Sequence, residues 1–201
     1  ISLMLSYSLA EKKVKKERSL TIAITFDGPN NLKQKIEKQA SDIESDAKEL
    51  GNTSQVSFWE TQARDTFTDI LKAEGYYNTQ INSNIINIRE KIYKIEFAIE
   101  LGNRYKLSSV DIVYAEDSNR NIYEPSKYKL KSKVGNFVIA EHILQDQEKL
   151  AEIIEKNNCL LNFDVNHEAV INHLDNTIAL KFVIKAGPQA KIRDVKFSGL
   201  N

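Results

Sequence analysis

The segment IELGNRYKLSSVDIV, residues 99–113, recurs as IKAGPQAKIRDVKFS, residues 184–198, at a constant offset of 85 residues (184 − 99). Ile99 falls on Ile184, Gly102 on Gly187, Leu107 on Ile192, Val110 on Val195 and Ile112 on Phe197. Upstream, KIEFAIE (94–100) falls on ALKFVIK (179–185). In both, alternation at period two places Phe97 and Ile99, or Phe182 and Ile184, on one face of a strand. TIAITFDG (21–28) shares the same pattern, with Phe26 and Gly28 standing where Phe197 and Gly199 stand. A repeat of this length implies a string of small domains rather than a stack of short units. The chain then divides into an arm, 1–18, a first unit, 19–106, a second unit, 107–191, and residues 192–201, which read as the first strand of a third unit.

Between the repeated strands the period changes. Residues 29–50 carry Leu32, Ile36, Ala40, Ile43, Ala47 and Leu50 at steps of three or four, with Pro29 at the start and Gly51 just past the end, which predicts an amphipathic helix. In SFWETQARDTFTDILKAEG (57–75), Ser57 and Glu60 have the spacing of a capping box, and Trp59, Ala63, Phe67, Ile70 and Leu71 form an apolar face. Gly75 is suited to the left-handed residue that closes a helix. A strand through Tyr77, Thr79 and Ile81 and a returning strand, YKIEFAIEL, complete the unit. The second unit repeats this with LSSVDIVY, a helix over about 139–157 whose Ile143, Leu150, Ile153 and Ile154 face inward, and the hairpin LLNFDVNHEAVI with NTIALKFVIKAG. Asn158 takes the place of Gly75 and is expected to adopt its left-handed conformation. The first helix of this unit is poorly marked: SKYKLKSKVG alternates at period two, so a short helix or an irregular segment is expected before Gly135.

Lys+Arg and Asp+Glu number 28 each. The halves are balanced too, with 11 basic against 13 acidic residues over 19–106 and 10 against 12 over 107–191. A general nucleic-acid binder needs a cation surplus to displace counterions from phosphates, so that class is excluded. Only EKKVKKER (11–18) is locally basic, and it reads as a solvated arm. ISLMLSYSLA (1–10), with Ser8 and Ala10 before Glu11, has the character of the end of a secretory leader.

The chemistry of an enzyme or metal site is not evident. HEAVINH (167–173) separates its histidines by six residues, where ligands on one helical face need four. DSNRN (117–121) begins like a calcium loop, but Ile122 and Tyr128 occupy its glycine and bidentate-glutamate positions. Cys159, beside Leu160 and Leu161, is expected to be a small buried apolar residue. No catalytic residue, metal or cofactor is assigned.

This organisation resembles tandem POTRA domains, the polypeptide-transport-associated modules that precede the β-barrel of outer-membrane assembly proteins, over residues 20–201. The joints carry the likeness: Gly102, Tyr105, Leu107, Val110 and Ile112, and again Gly187, Ile192, Val195, Phe197 and Gly199, with Ala190 in the aromatic position of the second. LKAEGYYNTQI is similar to the family's helix end, glycine and paired aromatics. The resemblance implies an α+β fold of strand-helix-helix-strand-strand modules, each a small three-stranded mixed sheet with two helices on one face. It also implies a periplasmic location in a Gram-negative bacterium, an outer-membrane barrel beyond Asn201, unfolded outer-membrane proteins as substrates and an inner-membrane-anchored periplasmic partner. In such modules the strand after the second helix is expected at a sheet edge, open to an incoming strand. The candidate partner-binding positions are therefore Tyr77, Thr79, Ile81 and Ser83 in the first unit and Asn162, Asp164, Asn166 and Glu168 in the second. Short joints after Gly102 and Gly187 are expected to couple neighbouring units.

Overall fold

The computed structural model describes residues 19–47, 50, 52–116, 118 and 129–189. The expected third-unit strand at 192–201, the arm at 1–18, Gly51, Ala190, and Asp117 and residues 119–128, which include most of DSNRN, lie outside the described residues.

The first sheet contains β1 (Leu20–Phe26), β2 (Gln80–Arg89) and β3 (Ile92–Glu100), and the second contains β4 (Lys106–Tyr114), β5 (Phe163–Asn172) and β6 (Thr177–Ala186). The strand orders are β1-β3-β2 and β4-β6-β5, so the last strand of each unit is central. The central strand pairs parallel with the first strand, Ile22 with Ile95 and Ile112 with Phe182, and antiparallel with its hairpin partner. The fold is thus α+β with two mixed three-stranded sheets, as the repeat and the resemblance predict.

Helices α1 (Asn30–Asp46) and α2 (Thr53–Ala73) cover one face of the first sheet. The expected stripe is the buried one: Leu32, Ile36, Ala40, Ile43, Ala47 and Leu50 pack against Leu20, Ile95, Phe97 and Ile99. Pro29 lacks an N–H that the helix start would leave unbonded, and its carbonyl accepts from Leu32 and Lys33. Phe67 of α2 meets Phe97 edge to face at 5.2 Å. The opposite face of the sheet is open, a shallow trough of about 460 Å³ floored by small and polar residues such as Ala23, Thr25, Asn82 and Ala98.

Three local expectations are corrected. Helix α2 begins four residues before Ser57, with Asn52 as its cap, the Oδ1 accepting from the Gln55 N–H at 3.1 Å. Fully buried Val56 extends the apolar face into that first turn, which favours the earlier start. Asn158, after α3 (Ala140–Asn157), is extended (φ −139°, ψ 127°) rather than left-handed. It caps α3 through its side chain, Nδ2 donating to the Ile154 carbonyl at 3.0 Å. Because Asn158 takes the inward position, alternation turns Cys159 outward, and the cysteine is exposed, contrary to expectation.

In the second unit α3 packs on β5 and β6 through Ile143, Leu150 and Ile154, with Ile153 half-buried. Where the first unit has α1, the described residues 129–138 run irregularly. Besides buried Val138 and half-buried Leu130, they are tied to the core by Asp146, an almost fully buried carboxylate on the inward face of α3. Its two oxygens accept from the backbone N–H groups of Lys131 (2.8 Å) and Ser132 (2.7 Å). The segment then meets the start of β4, with Gly135 donating to the Leu107 carbonyl, Leu107 to Asn136, and Val138 to Tyr105.

Candidate partner interface

Among the described residues four strands lie at sheet edges, and hydrogen-bond parity identifies which main-chain groups each one offers. In β3 the Tyr93 N–H donates to Ser19, so the odd residues of β3 face β1 and the even ones face β2. Through the register Asn82↔Ala98 and Asn84↔Glu96, the even residues of β2 are consumed in the ladder, and Ile81, Ser83 and Ile85 point their N–H and C=O outward. In the second sheet Ala115 donates to the Ile184 carbonyl, so even residues of β6 face β4 and odd ones face β5. Asp164↔Lys185, Asn166↔Val183 and Glu168↔Lys181 are therefore ladder pairs. Phe163, Val165, His167, Ala169 and Ile171 present the outward groups.

This places the sequence-derived positions individually. Ile81 and Ser83 lie on β2 with outward main chain and half-buried side chains facing α2. Asp164, Asn166 and Glu168 lie on β5, but their main-chain groups bond β6 and only their side chains face the solvated side of the sheet. Asn162 precedes β5, and its carbonyl accepts from the Gly187 N–H at 2.9 Å. Tyr77 and Thr79 precede β2. Thr79 Oγ1 donates to the Leu101 carbonyl at 3.1 Å, and Tyr77 turns to the second unit.

Three of the four edges are occupied at an outward group. On β1 the Ile22 N–H donates to Glu44 Oε1 of α1 at 2.7 Å. On β2 the Arg64 guanidinium of α2 donates to the Ile81 carbonyl and to Ser83 Oγ, the latter at 2.6 Å. Ser83 Oγ in turn donates to Glu60 Oε1, which is also ion-paired with Arg64. Glu60, expected in a capping box, thus belongs to this edge. On β4 the segment 135–138 bonds Leu107. On β5, among the described residues, no side chain occupies an outward main-chain group. The histidines of HEAVINH have ordinary partners: His167 Nδ1 lies 2.5 Å from Gln147 Oε1 and His173 Nδ1 lies 2.7 Å from the Tyr105 hydroxyl. No cluster of potential metal ligands occurs among the described residues. Nor is any described helix long and apolar enough to cross a membrane.

The joint between the units is built from both. Gly75 and Gly102 have positive φ, +89° and +66°, which side-chain-bearing residues adopt at a cost. A Cβ on Gly75 would stand 2.6 Å from the Val138 carbonyl oxygen, and one on Gly102 would stand 2.6 Å from that of Asn78. The Gly75 carbonyl accepts from the Tyr105 N–H at 2.8 Å, and Arg104 Nε donates to the Glu74 carbonyl at 2.7 Å. The Arg104 guanidinium lies between the Tyr76 and Phe137 rings, 5.6 and 4.7 Å from their centroids. Tyr105 is fully buried in the second core and packs on Tyr77 at 5.3 Å. Burial pushes the Tyr77 hydroxyl above its ordinary pKa. Gly75→Ala is expected to cost about 1–3 kcal/mol through the strained φ and the close carbonyl. It should also change the angle between the units, detectable by residual dipolar couplings; unchanged couplings and stability would refute the joint's dependence on this glycine.

No family model matches the sequence, and no curated protein matches it. Solved structures similar to it include POTRA3-5 of BamA from Haemophilus influenzae, with 15% identity and a TM-score of 0.47 over 90% of this chain and 71% of that one. POTRA1-2 of the periplasmic domain of Omp85 from Anabaena is similar at 10% identity and a TM-score of 0.41, covering 87% and 94%. BamA from Haemophilus ducreyi lacking POTRA domains 1-3 is similar at 16% identity and a TM-score of 0.44 over 83% of this chain, which spans 29% of that one's length.

Proposed function

We propose that this chain is the periplasmic POTRA region of a TamA-like outer-membrane protein. In this reading it is a non-enzymatic scaffold that receives outer-membrane proteins such as autotransporters and helps insert or translocate them. Substrate segments add as strands to a sheet edge, so that backbone hydrogen bonds supply affinity tolerant of sequence and alternate side chains supply selection. Its inner-membrane-anchored partner is of the TamB type, and no cofactor is required. The observation that carries the proposal is the edge geometry: each sheet has a hairpin strand bonded on one side only, with regularly spaced main-chain groups directed outward. The joint residues Gly102 and Tyr105 and the AEGYY helix end support the family assignment.

Peptides from transmembrane strands of an outer-membrane barrel should bind this chain saturably, as followed by fluorescence anisotropy. The same peptides N-methylated at every residue should lose that binding, because neither edge of the peptide then offers a donor to the sheet. Equal binding of the two sets would sink strand addition as the mode. The alternative assignment, the POTRA region of the general barrel-assembly factor BamA, is separated by the number of modules in the full-length protein, three against five.

A further inference from the structure

The four edges are unequal, and the inequality selects one. We propose that β5 of the second unit takes the incoming strand, at the outward groups of Val165, His167, Ala169 and Ile171, while Arg64 holds β2 of the first unit closed. This rests on strand addition as the mode of binding.

The closure of β2 is explicit. Residues 81 and 83 are successive outward positions, and a strand docking there must bond the Ile81 carbonyl. That oxygen already accepts from Arg64, and Arg64 is held by Glu60 and Ser83. Charge-assisted bonds of this kind are among the stronger ones, so a neutral backbone N–H is a poor competitor for the site. Charged side chains on an edge are a general means of discouraging pairing. Glu44 does the same for Ile22 on β1.

The β5 edge has no such guard among the described residues, and its surroundings define the occupant. On the helix side of the sheet, Ala169 is exposed and Ile171 is 40% exposed. Gln147 of α3 meets His167. Leu144, three residues earlier on that side of the helix, is 51% exposed. Leu144, Ala169 and Ile171 thus offer exposed apolar side chains on the helix side of this edge, an apolar shelf for an incoming strand. On the other side of the sheet β5 offers Asp164, Glu168 and an exposed Val170; the strand contains no Lys or Arg, and the cations of this face, Lys185 and Lys181 of β6, stand opposite Asp164 and Glu168 on the inner side only. The partner is therefore an extended polypeptide that alternates, with apolar side chains over the shelf and a basic residue opposite Glu168, since directly opposed opposite charges favour pairing.

The test is amide hydrogen exchange on the full chain with and without a ten-residue peptide of alternating Val and Lys. Exchange at Val165, His167, Ala169 and Ile171 should slow at least tenfold on binding, with Ser83 and Ile85 unchanged. In Arg64→Ala, Ser83 and Ile85 should become protected as well. Ala169→Pro removes an outward donor without touching the ladder to β6, and should weaken the peptide at least tenfold while the circular-dichroism melting curve stays in place. Protection of Ser83 and Ile85 in the unaltered protein, with or without β5, would overturn the edge assignment and leave strand addition standing. Protection on neither edge would overturn both.

Discussion

Tyr105→Ala is expected to destabilise the second unit by about 3–5 kcal/mol, the range for removing a large aromatic from a core. Tyr105 is fully buried, its ring packs on Tyr77 of the preceding segment, and its hydroxyl lies 2.7 Å from His173 Nδ1. The ring cannot be replaced locally, because Tyr105 stands immediately before β4 with its N–H fixed to Gly75 and its carbonyl to Val138. Tyr105→Phe keeps the ring and loses only the hydroxyl contact, so its cost should be about 1 kcal/mol. Urea unfolding followed separately by Trp59 fluorescence, which reports the first unit, and by hydrogen exchange of β6 distinguishes the units. A loss below about 1 kcal/mol in Tyr105→Ala would show that the joint aromatics are surface decoration.

The second large effect is expected from Asp146→Ala. A carboxylate is costly to bury unless it is paired or bonded. Asp146 meets that condition with two backbone N–H groups from residues 131 and 132, the latter buried. Removing it leaves two donors without an acceptor, at about 1–3 kcal/mol each. The loss should therefore lie near 2–6 kcal/mol and release residues 129–138 from α3 first. Asp146→Asn retains one acceptor oxygen and should fall between the two. Exchange rates at Lys131 and Ser132 that rise at least tenfold in Asp146→Ala, ahead of those in β6, would confirm the order; uniform unfolding would contradict it.

The elements of the first unit were legible because one signal dominated each. Ile36, Ala40 and Ile43 have no alternative to a helix face, and Phe97 and Ile99 alternate in a strand whose copy at Phe182 and Ile184 does the same. Where a residue supports two local solutions, periodicity could not choose. Asn158 suits a left-handed cap, yet it serves the same carbonyl ladder with its side chain while the backbone stays extended into the next strand. Ser57 and Glu60 have capping-box spacing, but Asn52 caps the helix earlier, and Glu60 is drawn to Arg64 four residues on and to Ser83 across the sheet. Asp146 did leave a trace, a carboxylate at an inward position between Ile143 and Leu150, but its partners lie in a segment without periodic pattern. The edge positions were half legible. Side-chain alternation identifies a strand, whereas which residues bond the neighbour depends on register with a third strand. That is why Asp164, Asn166 and Glu168 turned out to bond inward and Val165, His167 and Ala169 outward.

The parallel pairing of β1 with β3 bears on how the chain is made. Leu20 pairs with Tyr93, 73 residues later (93 − 20), so β1 has no partner until nearly the whole first unit has been synthesised. The helices and the β2–β3 hairpin form from near neighbours, and the long-range closure comes last, because the entropy of closing a large loop precedes any gain from its contacts. The Gly75 carbonyl at the end of α2 is then the acceptor on which Tyr105, at the head of the second unit, is seated. A nascent chain thus acquires its units in order from the N-terminus, each finished end serving as the template on which the next first strand is laid.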